Sequence, residues 1–259
     1  MTNKKDVLFG TKEWAPHNFN FTNGCSNNCT YCYAKEMAIR FKRKTADNWQ
    51  TEEPVSMKGK SFSKKNGRIM IPSSHDITPG NIDLAIDVIG KLLKNGNELL
   101  IVTKPHFSCV KRLVDEFIKF RANIQFRFTI GSASTETLLL WEPGATGFKE
   151  RLESLKYAFD RGFSTTISAE PLLDENIDDL YDTLSPYVNG SIWVGKMNSP
   201  ERRAKMNGAS SEVMDSVRSL VAAQCDKNII AIWEKYKNNP KIEWKESIKK
   251  VLSNHSISS

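Results

Sequence analysis

The stretch that decides the fold is GCSNNCTYCYA, Gly24 to Ala34, which places three of the chain's five cysteines within one short loop. Their spacing is Cys25-x3-Cys29-x2-Cys32, between a β-rich run and a helical pattern. Thiolate sulfur is the ligand that iron–sulfur clusters and structural zinc both take, and close spacing lets one loop wrap one centre. Structural zinc closes its shell with four protein ligands. None follows nearby: Cys109 and Cys225 are distant, and His17 and His75 have no paired ligand spacing. Three thiolates leave one iron of a cubane open, and an open metal position serves chemistry. A non-catalytic zinc-binding nucleic-acid module stands as the alternative.

Outward from the cysteines, β-rich runs alternate with helical patterns. Phe19–Thr22 reads as a strand that enters the loop, and Thr30–Arg43 as the helix that leaves it. Further strands are expected at Ile69–Pro72, Leu99–Thr103, Ile124–Ile130, Ser164–Ala169 and Ser191–Gly195, mostly as continuous apolar runs. Helical periodicity marks Ile82–Lys94, Ser108–Arg121, Phe148–Arg161 and Ile177–Leu184. Six strands, each followed by a helix, imply a parallel sheet with right-handed crossovers and an α/β fold. Such folds carry their chemistry beyond the carboxyl ends of the strands. The expected domains are an extension over 1–18, a core over 19–200 and helical cover over 201–259.

Lysine and arginine number 37 against 30 acids, a formal charge of +7. The basic residues gather at Arg40–Lys44, Lys58–Arg68 and Arg202–Lys205, and such clusters suit a polyanion as well as a solvated surface. No apolar run reaches signal-peptide or membrane-span length, so the expected location is cytoplasmic, without a membrane partner. In that compartment disulfides are rare and clustered cysteines bind metal or do redox chemistry.

The cysteine spacing, with Tyr31 before the last ligand, resembles the cluster loop of radical S-adenosylmethionine (radical SAM) enzymes. The resemblance is nearest to spore photoproduct lyases and DNA-repair-photolyase-like relatives. It runs from Phe19 to Met197 and includes SSHDITPG (Ser73–Gly80), TKPHF (Thr103–Phe107), EPGATGFKERLESLKYAFDRGF from Glu142 and AEPLL (Ala169–Leu173). It implies a partial (β/α)6 TIM-like barrel with a C-terminal helical extension. It also implies a 4Fe-4S cluster on Cys25, Cys29 and Cys32, with the fourth iron chelated by S-adenosylmethionine. Reductive cleavage would then give a 5′-deoxyadenosyl radical that abstracts hydrogen. A flavodoxin- or ferredoxin-like electron donor would reduce the cluster.

By the same resemblance Ser73, Ser74 and His75 lie beside the methionine end of the cofactor, with His75 a candidate acid. Lys104 would meet the cofactor carboxylate, and Thr129 and Ser132 the carboxylate or ribose. Glu142 and Arg151 would form ribose or wall contacts, and Glu170 would line the mouth with Lys196 and Asn198. Tyr31 and Tyr33 would cover the cluster or relay a radical. The polar loop Ser73–Gly80 also reads simply as a turn before a helix, and Lys104 as a surface lysine.

The resemblance breaks at Ser73, where spore photoproduct lyases carry a cysteine that returns a hydrogen atom to the product. The O–H bond of serine is too strong for that step, and Cys109 sits on the next unit. Photodimer repair is therefore not carried over. The expected substrate is a nucleic acid or nucleotide, with a peptide or small metabolite as the alternative.

Overall fold

The computed structural model describes residues 10–257. Among these, one sheet holds seven strands, all parallel: β1 (His17–Asn18), β4 (Ile69–Ile71), β5 (Leu99–Thr103), β6 (Ile124–Thr129), β7 (Ser164–Ala169), β8 (Ile192–Val194) and β9 (Ile242–Trp244). Helices α2 (Ile82–Lys94), α3 (Phe107–Glu116), α5 (Phe148–Asp160) and α6 (Ile177–Leu184) form the crossovers from β4 to β8. This is the expected α/β architecture of parallel strands under helices, consistent with a partial TIM-like barrel.

Two strands differ from the sequence expectation. The strand that leads to the cysteines joins the sheet at His17–Asn18. Thr22–Asn23 (β2) instead pairs antiparallel with Glu53–Pro54 (β3), in a small ribbon beside the loop. The tail, read from sequence as helical throughout, contributes β9, which pairs with β8 from Ile192↔Ile242 to Val194↔Trp244. Ile242-Glu243-Trp244 is short and flanked by lysines, so its alternation is hidden in a charged context.

Alternation partitions the sheet. Ile69, Ile71, Leu99, Ile101, Phe126, Phe128, Ile167, Ile192 and Val194 face the helices and build the main core. Met70, Leu100, Val102 and Trp193 form a separate cluster with Trp14 on the inner face. Arg127 and Thr166, register partners, fill the inner rows between them. The strands were expected to be evenly apolar, but only the helix-facing positions must be, because burying an unpartnered polar group costs free energy. The inner face is polar and aromatic: the Arg127 guanidinium lies 4.6 Å from the Trp14 ring centre and 5.2 Å from that of Trp193.

The two ends of the sheet are joined by a buried lysine. Lys245, just past β9, is 2% exposed. Its Nζ donates to the Gly10 carbonyl (3.0 Å) and pairs with Glu13, in the turn of 3-10 helix ahead of β1.

Candidate active site

Cys25, Cys29 and Cys32 line a cavity of about 520 Å³ at the carboxyl ends of the strands. The loop that carries them is fixed on three sides. From the ribbon side, Cys25 N–H donates to the Trp49 carbonyl (3.0 Å) and Ser26 N–H to Glu52 (2.9 Å). Gly24, with φ +87°, allows this approach, because a Cβ there would strike the Thr51 carbonyl. From the strand ends, Asn27 Nδ2 donates to Asp76 Oδ2 (3.0 Å). From the tail, Asn207, at the end of α7 (Pro200–Met206), donates its amide to the carbonyls of Thr30 (2.8 Å) and Cys32 (3.0 Å).

Cys32 is the N-cap of α1 (Tyr33–Arg40), and its sulfur accepts the Lys35 N–H at 3.3 Å. A helix N-terminus favours the thiolate. Burial nevertheless raises all three thiol pKa values. For Cys25 the negative charges of Asp76, Cys29 and Cys32 add to it, while for Cys32 the Lys35 N–H and the Lys104 cation oppose it. Buried thiolates that repel one another call for a cationic partner, which a cluster core supplies. Among the described residues no three Cys, His, Asp or Glu side chains converge as a single ion requires. In a cube each thiolate meets a different iron, so the donor set fits a cube and does not form a mononuclear zinc site.

Asp76 organises the floor behind the loop. It is 6% exposed and accepts from Asn27, the Thr103 hydroxyl (2.5 Å), Lys104 N–H (3.0 Å) and Ile77 N–H (2.8 Å). The ends of β4 and β5 and the cysteine loop thus share one carboxylate. Sequence reading noted Asp76 only as one polar residue of a loop; its four donors come from separate segments.

Ser73, Ser74, His75, Lys104, Thr129 and Glu170 line the cavity together with Tyr31, Tyr33, Lys196 and Asn198. Asn20 holds the first two, its Oδ1 accepting the N–H of Ser73 (2.8 Å) and Ser74 (3.0 Å). Both ring nitrogens of His75 are engaged: Nε2 accepts from Phe21 N–H (3.1 Å) and Thr22 N–H (3.2 Å), and Nδ1 faces the Asp76 carbonyl (3.0 Å). Burial lowers its pKa to about 4. The ring is neutral at pH 7 and has no free nitrogen, so the geometry gives it a tying role and not the acid role expected from sequence.

Ser132, Glu142 and Arg151 do not line the cavity and are each 0% exposed. The Ser132 hydroxyl donates to Asp174. Arg151 pairs with Glu142 at 2.5 Å and donates to the Thr129 carbonyl (3.1 Å), while the Tyr31 hydroxyl donates to Glu142. Behind the wall they act on cavity residues and not on a ligand directly. Lys104 Nζ stands 3.9 Å from Glu142 and 5.7 Å from the Tyr31 ring centre. Burial alone would lower its pKa, but Cys29, Tyr31, Glu142 and Asp76 together raise it, so it stays a cation. The Tyr33 hydroxyl donates to the Ser73 carbonyl.

The cavity also receives residues that no local pattern announced: Thr11, Lys12 and Trp14 from the segment before β1, Arg203 from α7 and Lys245 after β9. Glu170 lies 3.4 Å from Lys245 Nζ. None of residues 58–68, the basic stretch expected near the entrance, lines the cavity. Lys60 bonds the Asn20 carbonyl (2.6 Å), and Arg68 lies at the amino end of β4, bonded to Gln125 (2.7 Å). The stretch therefore runs down the outside of the barrel, away from the mouth.

Comparison with curated proteins gives no match. Among solved structures, the chain resembles a spore photoproduct lyase double mutant with bound AdoMet and dinucleoside spore photoproduct. The TM-score is 0.53 at 14% identity, over 93% of this chain and 79% of that one. It also resembles Streptococcus suis SuiB bound to S-adenosylmethionine, with a TM-score of 0.51 at 12% identity, over 88% of this chain and 50% of that one. SuiB bound to its precursor peptide SuiA gives a TM-score of 0.52 at 11% identity, over 94% of this chain and 52% of that one. These likenesses show the fold. The family is shown by the sequence itself, which matches over residues 19–185: the chain belongs to the Radical SAM superfamily.

Proposed function

We propose that the chain is a hydrogen-abstracting enzyme that acts on a nucleic-acid or nucleotide substrate within the cavity above Asp76. Superfamily membership implies an enzyme with S-adenosylmethionine, a 4Fe-4S cluster and a reductant. Bound together, the two cofactors supply a carbon-centred radical for hydrogen abstraction. The supporting observation is that all three loop cysteines and Lys104 face one cavity.

In this reading Cys25, Cys29 and Cys32 hold the cluster, and Lys104 gives its charge to the cofactor carboxylate. Ser73, Ser74 and Thr129 offer polar contacts around it. Glu142 and Arg151 keep Tyr31 and Lys104 in place, and Tyr33 closes the rim over Ser73. His75 fixes the loop through its two nitrogens. The electron donor is flavodoxin- or ferredoxin-like.

The charged lining favours an anionic substrate: Lys12, Lys104, Lys196, Arg203 and Lys245 against Asp76 and Glu170. A peptide or small metabolite is the second reading, favoured by the course of Lys58–Arg68 away from the mouth. The experiment is anaerobic incubation of reduced protein with S-adenosylmethionine, followed by assay of 5′-deoxyadenosine with DNA, RNA, nucleotide or peptide pools. Stimulation by nucleic acid or nucleotides supports the first reading. Stimulation by peptides alone supports the second, and no 5′-deoxyadenosine in any pool contradicts both.

A further inference from the structure

The cation excess is not spread evenly over the cavity wall. Lys104 is held by Glu142 and Lys245 by Glu13 and Glu170, so these two enter the cavity already paired. Arg203 and Lys196 do not. Arg203 has only Glu36, at 3.5 Å, and shares that carboxylate with Arg202. Its Nε–H is buried without a hydrogen-bond acceptor. The Nζ of Lys196 bonds the Gln224 carbonyl (3.1 Å) and lies 4.0 Å from Asp226, a half-exposed carboxylate. Both residues follow β8, on the far side of the sheet from β4 and β5, whose ends support the cysteine loop.

A second observation concerns the floor. Trp14 lines the same cavity and is 8% exposed, and its indole N–H has no partner. Its ring already carries two cations, with Arg127 at 4.6 Å and Lys245 at 4.4 Å from the centre. A buried donor left unmade costs free energy, and two in one cavity call for a ligand rich in acceptors. A cluster on three thiolates brings no acceptor oxygens. The cofactor carboxylate is accounted for by Lys104 on the other side.

Resting on the function proposed above, we infer that Arg203 and Lys196 form an oxyanion subsite that holds the phosphate or carboxylate of the substrate. A guanidinium presents paired N–H donors that match either group, and the ammonium adds a point charge. The indole N–H of Trp14 is the remaining donor for an acceptor atom of the same ligand. The subsite would place the substrate's anionic end away from the cysteines and leave its body between the two.

The test uses cluster-loaded protein saturated with S-adenosylmethionine, dialysed to equilibrium against labelled inorganic phosphate, thymidine 5′-monophosphate or glutamate. Wild-type protein is expected to retain at least one of these. R203Q and K196Q are each expected to weaken retention about tenfold or more, the value of one lost charge-assisted contact. R202Q, which touches Glu36 but does not line the cavity, is expected to bind as wild type. Retention of phosphate compounds assigns the oxyanion to a phosphate, and retention of glutamate alone assigns it to a carboxylate. The inference is overturned if none is retained, if R203Q binds unchanged, if R202Q weakens binding equally, or if R203Q loses S-adenosylmethionine instead. Iron is counted in the same samples, so absence of a cluster contradicts the proposed function separately from the oxyanion result.

Discussion

The amide of Asn27, between two cysteine ligands, donates to a carboxylate oxygen of Asp76 at 3.0 Å. That contact couples the cluster loop to the ends of β4 and β5. Exchange of Asp76 for asparagine keeps its size but puts an NH2 group among four donors. Each charge-assisted bond lost costs about 1.5–3 kcal/mol. D76N is expected to unfold at lower urea and to retain less iron than wild type, read by urea titration and iron analysis.

The pair Arg151–Glu142, at 2.5 Å with neither residue exposed, carries a second prediction. Loss of one partner leaves a charge in the interior, at a cost of about 3–5 kcal/mol. R151M is expected to lose that much stability in urea. Adding E142L is expected to cost less than the sum of the two single changes, because the stranded charge is gone.

His75 sets a pH dependence. Its folded pKa, about 4, lies below the unfolded 6.5, so the unfolded chain binds the extra proton between those values. Stability is therefore complete above the unfolded value and is lost as pH falls toward 4, by up to about 3 kcal/mol. H75Q removes the titrating ring. The difference between wild-type and H75Q unfolding free energies is expected to shrink from pH 7 to pH 4.

Gly144 touches the cluster loop directly, and a Cβ there would collide with the Ser26 carbonyl and the Asn27 backbone. Gly144 N–H also donates to the Asn27 carbonyl (3.1 Å). G144A must push the loop aside, and because the obstruction is backbone it cannot be relieved by a rotamer change. The expected result is lower iron retention with far-UV circular dichroism unchanged.

What the sequence disclosed was whatever repeats locally. The cysteine spacing is a contiguous signal. The strand at Ser164–Ala169 and the helix at Ile177–Leu184 stand where periodicity put them, because apolar spacing and turn residues are local. Contacts between distant segments left no such trace. Lys245 meets Glu13 and Asn207 meets Cys32 across most of the chain, so neither partner marks the other in sequence. The strand at Ile242–Trp244 escaped because three residues among lysines show too little alternation. The arginine in Ile124–Thr129 looked like a lapse in an apolar run, but it is the inner face of the sheet, stacked on two indoles.

The central claim is that three thiols hold an iron–sulfur cube with one corner kept open. The most direct measurement is iron and acid-labile sulfide per chain after anaerobic purification, for wild type and for the variant with Cys25, Cys29 and Cys32 all changed to alanine. The expected result is about four irons in wild type and none in the variant. Wild-type protein without iron, or a variant that keeps its iron, would contradict it.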